Sequence, residues 1–109
     1  MGTVAAVTVR YWYVMAQSRE AYVQSKLIDG LTQRGWWARK ITSPSRNGIP
    51  DVVAARDGRV IWIEVKRDGD TAGPTRDETR EMRIMREHGL ECMVVTGREQ
   101  VEETLKELA

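Results

Sequence analysis

The sequence predicts an α/β domain, a mixed β-sheet flanked by helices, in the order helix, strand, strand, strand, helix, strand, helix. Three observations predict it. Val23, Leu27 and Leu31 recur with the spacing of one helical face. The stretch "VVAARDGRVIWIEV" sets Asp57-Gly58, the preferred pair for a two-residue hairpin turn, between two strand-like runs. A helix-capping signal then separates that hairpin from a further apolar run, "CMVV", an arrangement that calls for a right-handed crossover.

The first segment, 1–16, ends in "VTVRYWYVM", rich in β-branched and aromatic residues. It reads as an N-terminal arm or extra strand outside the core, or as an extension ahead of a true start at Met15, and both readings stay open. The compact domain is expected over 17–109. Ser18 is the expected N-cap of a helix running to about Arg34, with Gly35 as its stop. Glu20 lies one turn ahead of Val23 on the inward stripe, although an acid in a first turn also simply favours the helix dipole.

"WWARKI" reads as the next strand; Trp36-Trp37 could place one ring in the core and one outward against a base or a partner subunit, but core packing of both is the expectation. The loop "TSPSRNGIP" leads into the hairpin. Thr75 and Glu78 then form a T-x-x-E capping box for a second helix, which runs to about His88 and stops at Gly89. His88 is read as a favourable partner for the helix C-terminus. "LECMVVTG" is a strand, and "REQVEETLKELA" a closing helix that buries Val101, Leu105 and Leu108.

Composition narrows the function classes. A chain of 109 residues, 41% hydrophobic and 30% charged, suits one compact domain with a modest core. The net charge of +1 announces no polyanion partner, so any nucleic-acid binding must come from the distribution of charge. The single cysteine, Cys92, excludes an internal disulfide framework and a cysteine-based zinc cluster, and is read as buried and reduced. No apolar run approaches the roughly 18 residues of a membrane helix. A cytoplasmic location, bacterial or in a phage-infected host, is expected.

The chemistry lies in "PDVVAARDGRVIWIEVK". With the turn at Asp57-Gly58, Arg56 faces Arg59, and counting outward makes Asp51 the cross-strand neighbour of Glu64. Opposed side chains on one face have Cβ atoms roughly 4.5–5.5 Å apart, and Lys66 shares the face of Glu64. Facing acids are destabilising unless something positive lies between them. Together with Glu20, the oxygens of Asp51 and Glu64 form a hard-cation site for Mg²⁺ or Mn²⁺. The bland alternative, an exposed Glu64/Lys66 pair beside a Pro50-Asp51 turn, loses to the register. Both faces of the hairpin are apolar, so both are expected to be covered.

Pro50-Asp51, an apolar hairpin and Glu64-Val65-Lys66 resemble the PD-(D/E)XK signature of restriction-endonuclease-like nucleases. Glu20 opening the first helix, Gly35, Lys40, the "G-x-PD" loop of Gly48 to Asp51, and Gly89 before an apolar strand are together similar to its VRR-NUC branch, over roughly residues 18–106. The resemblance implies that Asp51, Glu64 and the backbone carbonyl of Val65 hold divalent metal. It implies that Glu20 helps to hold metal or water, and that Lys66 orients the attacking water and stabilises charge on the scissile phosphate. Family members often carry a glutamine early in the second helix where this chain offers Glu78, whose capping role explains it equally well.

Lys40, Arg39, Arg46 and Arg67 flank the proposed site and can contact phosphates; Arg76, Arg80 and Arg83 share one side of the second helix, where a solvated face laced with Glu81 and Glu87 explains them as well as phosphate contact does. The resemblance thus implies a metal-dependent, structure-selective DNA endonuclease. Stand-alone chains of this size are similar to phage-type enzymes that resolve Holliday junctions, and a homodimer is expected because a four-way junction is two-fold symmetric. The alternatives are a less selective nickase or flap endonuclease of the same fold, or a non-catalytic DNA-binding or interaction module.

Overall fold

The computed structural model describes residues 19–109, so the arm at 1–16 and the Ser18 cap lie outside the described residues. Helix α1 (Arg19–Gln33) precedes strands β1 (Trp37–Lys40), β2 (Val52–Arg56) and β3 (Arg59–Lys66). Helix α2 (Arg76–Glu87), strand β4 (Glu91–Thr96) and helix α3 (Gly97–Glu107) complete the fold, in the order the sequence predicts. The four strands lie in chain order, with β1–β2 and β2–β3 antiparallel and β3–β4 parallel across the α2 crossover. No helix among the described residues is long and apolar enough to cross a membrane.

The hairpin register is the one that Asp57-Gly58 dictates. Arg56 pairs with Arg59, and the ladder runs outward to Val52 opposite Ile63. Both turn residues adopt positive φ, +51° at Asp57 and +82° at Gly58, as a type I′ turn requires. One rung further, Asp51 leaves the β2–β3 ladder while its carbonyl still accepts the Ile41 N–H at 2.9 Å. The acid therefore sits where the two strands part, with its backbone tied to β1.

The core forms on the sheet face covered by α1 and α3. Val23, Leu27 and Leu31 of α1 meet Val52, Ile61, Ile63, Val65 and Val95, all of them buried. Full burial of each such side chain contributes about 1.5–3 kcal/mol. Val101, Leu105 and Leu108 are buried as the periodicity predicts. Helix α1 is thereby fixed against the sheet, and its first turn is carried to the end where β2 and β3 separate.

The opposite face is only partly covered, contrary to the expectation from the hairpin's two apolar faces. Helix α2 packs on β4, with Met82 and Met85 buried, and leaves Trp62 half-buried and Val60 exposed. The two adjacent tryptophans also divide. Trp36 is 3% exposed and donates its indole N–H to the Leu108 carbonyl at 3.0 Å, whereas Trp37 is 51% exposed with the Arg39 guanidinium 5.0 Å from its ring centre. Successive strand residues point to opposite faces, so only one ring of the pair reaches the packed side. Cys92 is half-buried rather than buried, and burial raises its thiol pKa.

The capping box on α2 forms as read. Thr75 Oγ1 accepts the Glu78 N–H at 3.2 Å, and Glu78 Oε1 accepts the Thr75 N–H at 2.7 Å. His88 is the C-cap residue, its ring nitrogen 2.8 Å from the Ile84 carbonyl. The loop before β2 is pressed onto this helix start. Gly48 has φ +89°, and a Cβ there would lie 2.5 Å from the Asp77 carbonyl oxygen. Gly48→Ala is therefore expected to destabilise the fold by about 1–3 kcal/mol, since neither the backbone conformation nor the space suits a side chain. Urea unfolding measures this, and an unchanged midpoint would refute it.

Candidate active site

Four elements converge at the parting of β2 and β3. Helix α1 brings Glu20 and Gln24, the start of β2 brings Asp51, the end of β3 brings Glu64, Val65 and Lys66, and the capped end of α2 brings Glu78. Carboxylate oxygens of Glu20, Asp51 and Glu64 all lie within 4.8 Å of one another. The hairpin count finds two of these acids, and the helix stripe finds the third. An open cleft of about 390 Å³ gives access, lined by Glu20, Gln24, Lys40, Arg46, Gly48 and Asp51.

Asp51 is held on both oxygens. Oδ1 accepts the Val65 N–H at 3.1 Å, and Oδ2 accepts the Gln24 side-chain amide at 2.6 Å. A strand residue's N–H and C=O project from the same edge, so the Val65 carbonyl faces the Asp51 side, beyond the last β2–β3 rung. Burial raises the Asp51 pKa, partly offset by these hydrogen bonds. Glu20 is raised by its own burial and then by the Asp51 charge.

Glu64 is the most constrained of the three. It is 2% exposed, and its Oε2 is buried without a hydrogen-bond partner. Burial, followed by the charges of Asp51 and Glu78, pushes its pKa up to about 9. Three carboxylates that bring oxygens this close, one of them also carrying an unpartnered buried oxygen, suit a hard divalent cation, because Mg²⁺ and Mn²⁺ prefer carboxylate, carbonyl and water oxygens. The residues present therefore fit such an ion.

Lys66 stands beside the triad, its ammonium 3.8 Å from Glu64 Oε1 and 2.7 Å from Glu78 Oε1. Burial works against its charge, but Glu78, Glu64 and Glu20 outweigh that and raise its pKa, so it stays cationic. Glu78 lies outside the three-acid group, and one of its oxygens serves both the capping box and Lys66. Burial raises the Glu78 pKa, yet the bonds from Lys66 and the Thr75 backbone leave it lowered overall. Glu78 is thus the counter-ion of Lys66.

The basic residues separate into near and far. Lys40 and Arg46 line the cleft, and Arg46 Nε also reaches Glu81 at 3.1 Å. Arg46 borders a neighbouring cleft of about 300 Å³ with Arg80. Arg39 lies over Trp37 and donates to the Ala38 carbonyl, so it does not line the cleft. Arg67 and Arg76 are exposed at the end of β3 and the start of α2, outside both clefts. Sequence reasoning missed Gln24; its one signal is the i, i+4 spacing from Glu20, which puts both on one helix face.

No family model matches the chain. A protein of Acyrthosiphon pisum secondary endosymbiont phage 1, named "Putative nuclease p44", is 35% identical over 57 residues, which span 51% of this chain and 61% of that relative. A solved structure described as a VRR_NUC domain superposes with a TM-score of 0.75 at 27% identity, covering 84% of this chain and 99% of that one. Hjc, a Holliday junction resolvase from the archaeal hyperthermophile Archaeoglobus fulgidus, shares the fold with a TM-score of 0.56 at 24% identity, over 70% of this chain and 66% of its own.

Proposed function

We propose that this chain, of VRR-NUC nuclease type by its fold and relatives, is a divalent-metal-dependent DNA endonuclease that cuts branched DNA and resolves four-way junctions as a homodimer. The observation that carries the proposal is the three-acid group of Glu20, Asp51 and Glu64 with cationic Lys66 beside it and one Glu64 oxygen left unpartnered. Crowded acids, one buried and two half-buried, destabilise a small domain, so they need a chemical reason. Asp51, Glu64 and the Val65 carbonyl would hold Mg²⁺ or Mn²⁺, with Glu20 as a further ligand to metal or water. When bound, the ion supplies Lewis acidity to a water nucleophile and to the phosphate oxygens.

The chain's own groups do the remaining work. Lys66, kept protonated by Glu78, neutralises charge growing on the scissile phosphate. The water oxygen forms the new bond to phosphorus and gives up a proton to solvent, while the opposite sugar oxygen departs with the other strand end and takes up a proton from solvent. Lys40 and Arg46 hold phosphates at the cleft, with Arg39, Arg67 and Arg76 as outlying contacts. The cytoplasm of a bacterium or an infected host, where such DNA is found, is the proposed location. Residues 1–16 are proposed as an arm separate from a nuclease domain at 17–109.

The homodimer follows from the substrate. One site cuts one strand, and a two-fold pair presents two sites to the two opposed strands of a junction. Labelled four-way junction, flap, nicked duplex and plain duplex, incubated with Mg²⁺, Mn²⁺ or EDTA beside Glu64→Ala, test the reading. Symmetric cuts in the junction alone, dependent on metal and on Glu64, are expected. Cleavage of every substrate would remove junction selectivity, and no cleavage with either metal would remove the enzyme.

A further inference from the structure

Gln24 is 6% exposed, and its amide is spent on a partner 27 residues away, Asp51, at 2.6 Å. An uncharged amide is buried without loss only when it is bonded, and a bond to a carboxylate is of the stronger, charge-assisted kind. Asp51 is thereby gripped from two elements at once, Oδ2 by helix α1 and Oδ1 by the Val65 N–H of β3. A carboxylate held on both oxygens cannot rotate about its terminal torsion. One of its oxygens lies within 4.8 Å of carboxylate oxygens of both Glu20 and Glu64.

The residue type matters as much as the distance. A lysine or arginine at position 24 would also satisfy Asp51, but its positive charge would compete with a bound cation. A glutamate would add a fourth acid to the crowd. An amide orients Asp51 while leaving the charge of the group untouched. Glu20 and Gln24 are also one turn apart on α1, so docking this helix delivers an acid of the group and the donor that aligns another.

We infer that Gln24 is a positioning residue for the divalent-cation site, acting through Asp51 rather than on DNA. The inference rests on the metal reading proposed above. Outer donors to metal-ligating carboxylates typically change metal affinity or activity about 10–100-fold when removed. Gln24→Met keeps the volume and removes the donor, and Gln24→Asn keeps an amide that is one methylene short.

Mn²⁺ titration of the EDTA-stripped protein, followed by calorimetry or by electron paramagnetic resonance, is the test. Wild type is expected to bind Mn²⁺, and Gln24→Met to bind it about 10–100-fold more weakly. The melting temperature of the stripped variant shows whether it is folded, and Gln24→Asn serves where the methionine variant is not. In cleavage, the concentration of Mn²⁺ giving half the maximal rate should rise more than the rate at saturating Mn²⁺ falls. Unchanged Mn²⁺ affinity in both folded variants would overturn the role of Gln24 alone. Wild-type protein that takes up no Mn²⁺ would overturn the metal reading together with it.

Discussion

Asp51→Asn and Glu64→Gln are each expected to lower the single-turnover cleavage rate by about 10³-fold or more while DNA affinity, measured in EDTA, stays close to wild type. The magnitude follows from the several kcal/mol that a bound cation and its ligands contribute to a phosphoryl transition state, at 1.36 kcal/mol per tenfold. Binding should survive because the cleft's phosphate-directed charge comes from Lys40 and Arg46, not from the acids. Lys66→Ala should also abolish cleavage, for a different reason. It removes the cation at the phosphate and leaves Glu78 facing Glu64 without a counter-charge. Loss of binding in step with cleavage would contradict these assignments.

How far the sequence alone reaches is decided by how local each determinant is. The hairpin register is set by two turn residues, and once Arg56 pairs with Arg59 every later pair follows, which is why the approach of Asp51 to Glu64 is legible without a structure. The capping box is equally local. What the count does not reveal is that the ladder stops at Val52, so that Asp51 turns its carboxylate to the Val65 N–H and to α1 instead of standing in a regular rung.

Long-range docking is where reading by pattern fails. Gln24 shows no hydrophobic period and no motif, and it becomes informative only when α1 is laid against the start of β2. The sequence leaves Glu78 ambiguous for the same reason: its capping role is visible within four residues, but its pairing with Lys66 depends on where the crossover places α2. Trp37 shows the opposite error. Its hydrophobicity suggests a buried ring, but the coverage of its sheet face depends on α2, which reaches only the β4 side. The expected core contacts of α3, by contrast, needed only its own period.

The stripped protein should lose stability as pH rises, and Glu64→Gln should remove most of that loss. Glu64 titrates near 4.5 when exposed, but near 9 in the fold. Between those values the folded state keeps a proton that the unfolded chain has released, so raising the pH favours unfolding across this window. At 1.36 kcal/mol per unit the contribution is on the order of several kcal/mol. Asp51 and Glu20, also raised, act in the same direction. The lowered Glu78 acts in the opposite sense, but its window lies below 4.5. Melting in EDTA is therefore expected to fall by about 10 °C or more between about pH 5.5 and pH 8.5, given about 4–8 °C per kcal/mol for a domain of this size. Glutamine has the same shape and cannot ionise, so Glu64→Gln in EDTA should melt above wild type at the alkaline end. Saturating Mn²⁺ should reverse that order, since a cation stabilises the ionised acid and has less to hold in the variant. A variant that is dead in cleavage yet more stable without metal would mean that the fold sustains an unfavourable carboxylate for the sake of its ligand. A flat wild-type profile, or a variant less stable than wild type in EDTA, would mean that Glu64 is already satisfied within the protein, and the case for a cation would have to rest on Asp51 and Glu20 alone.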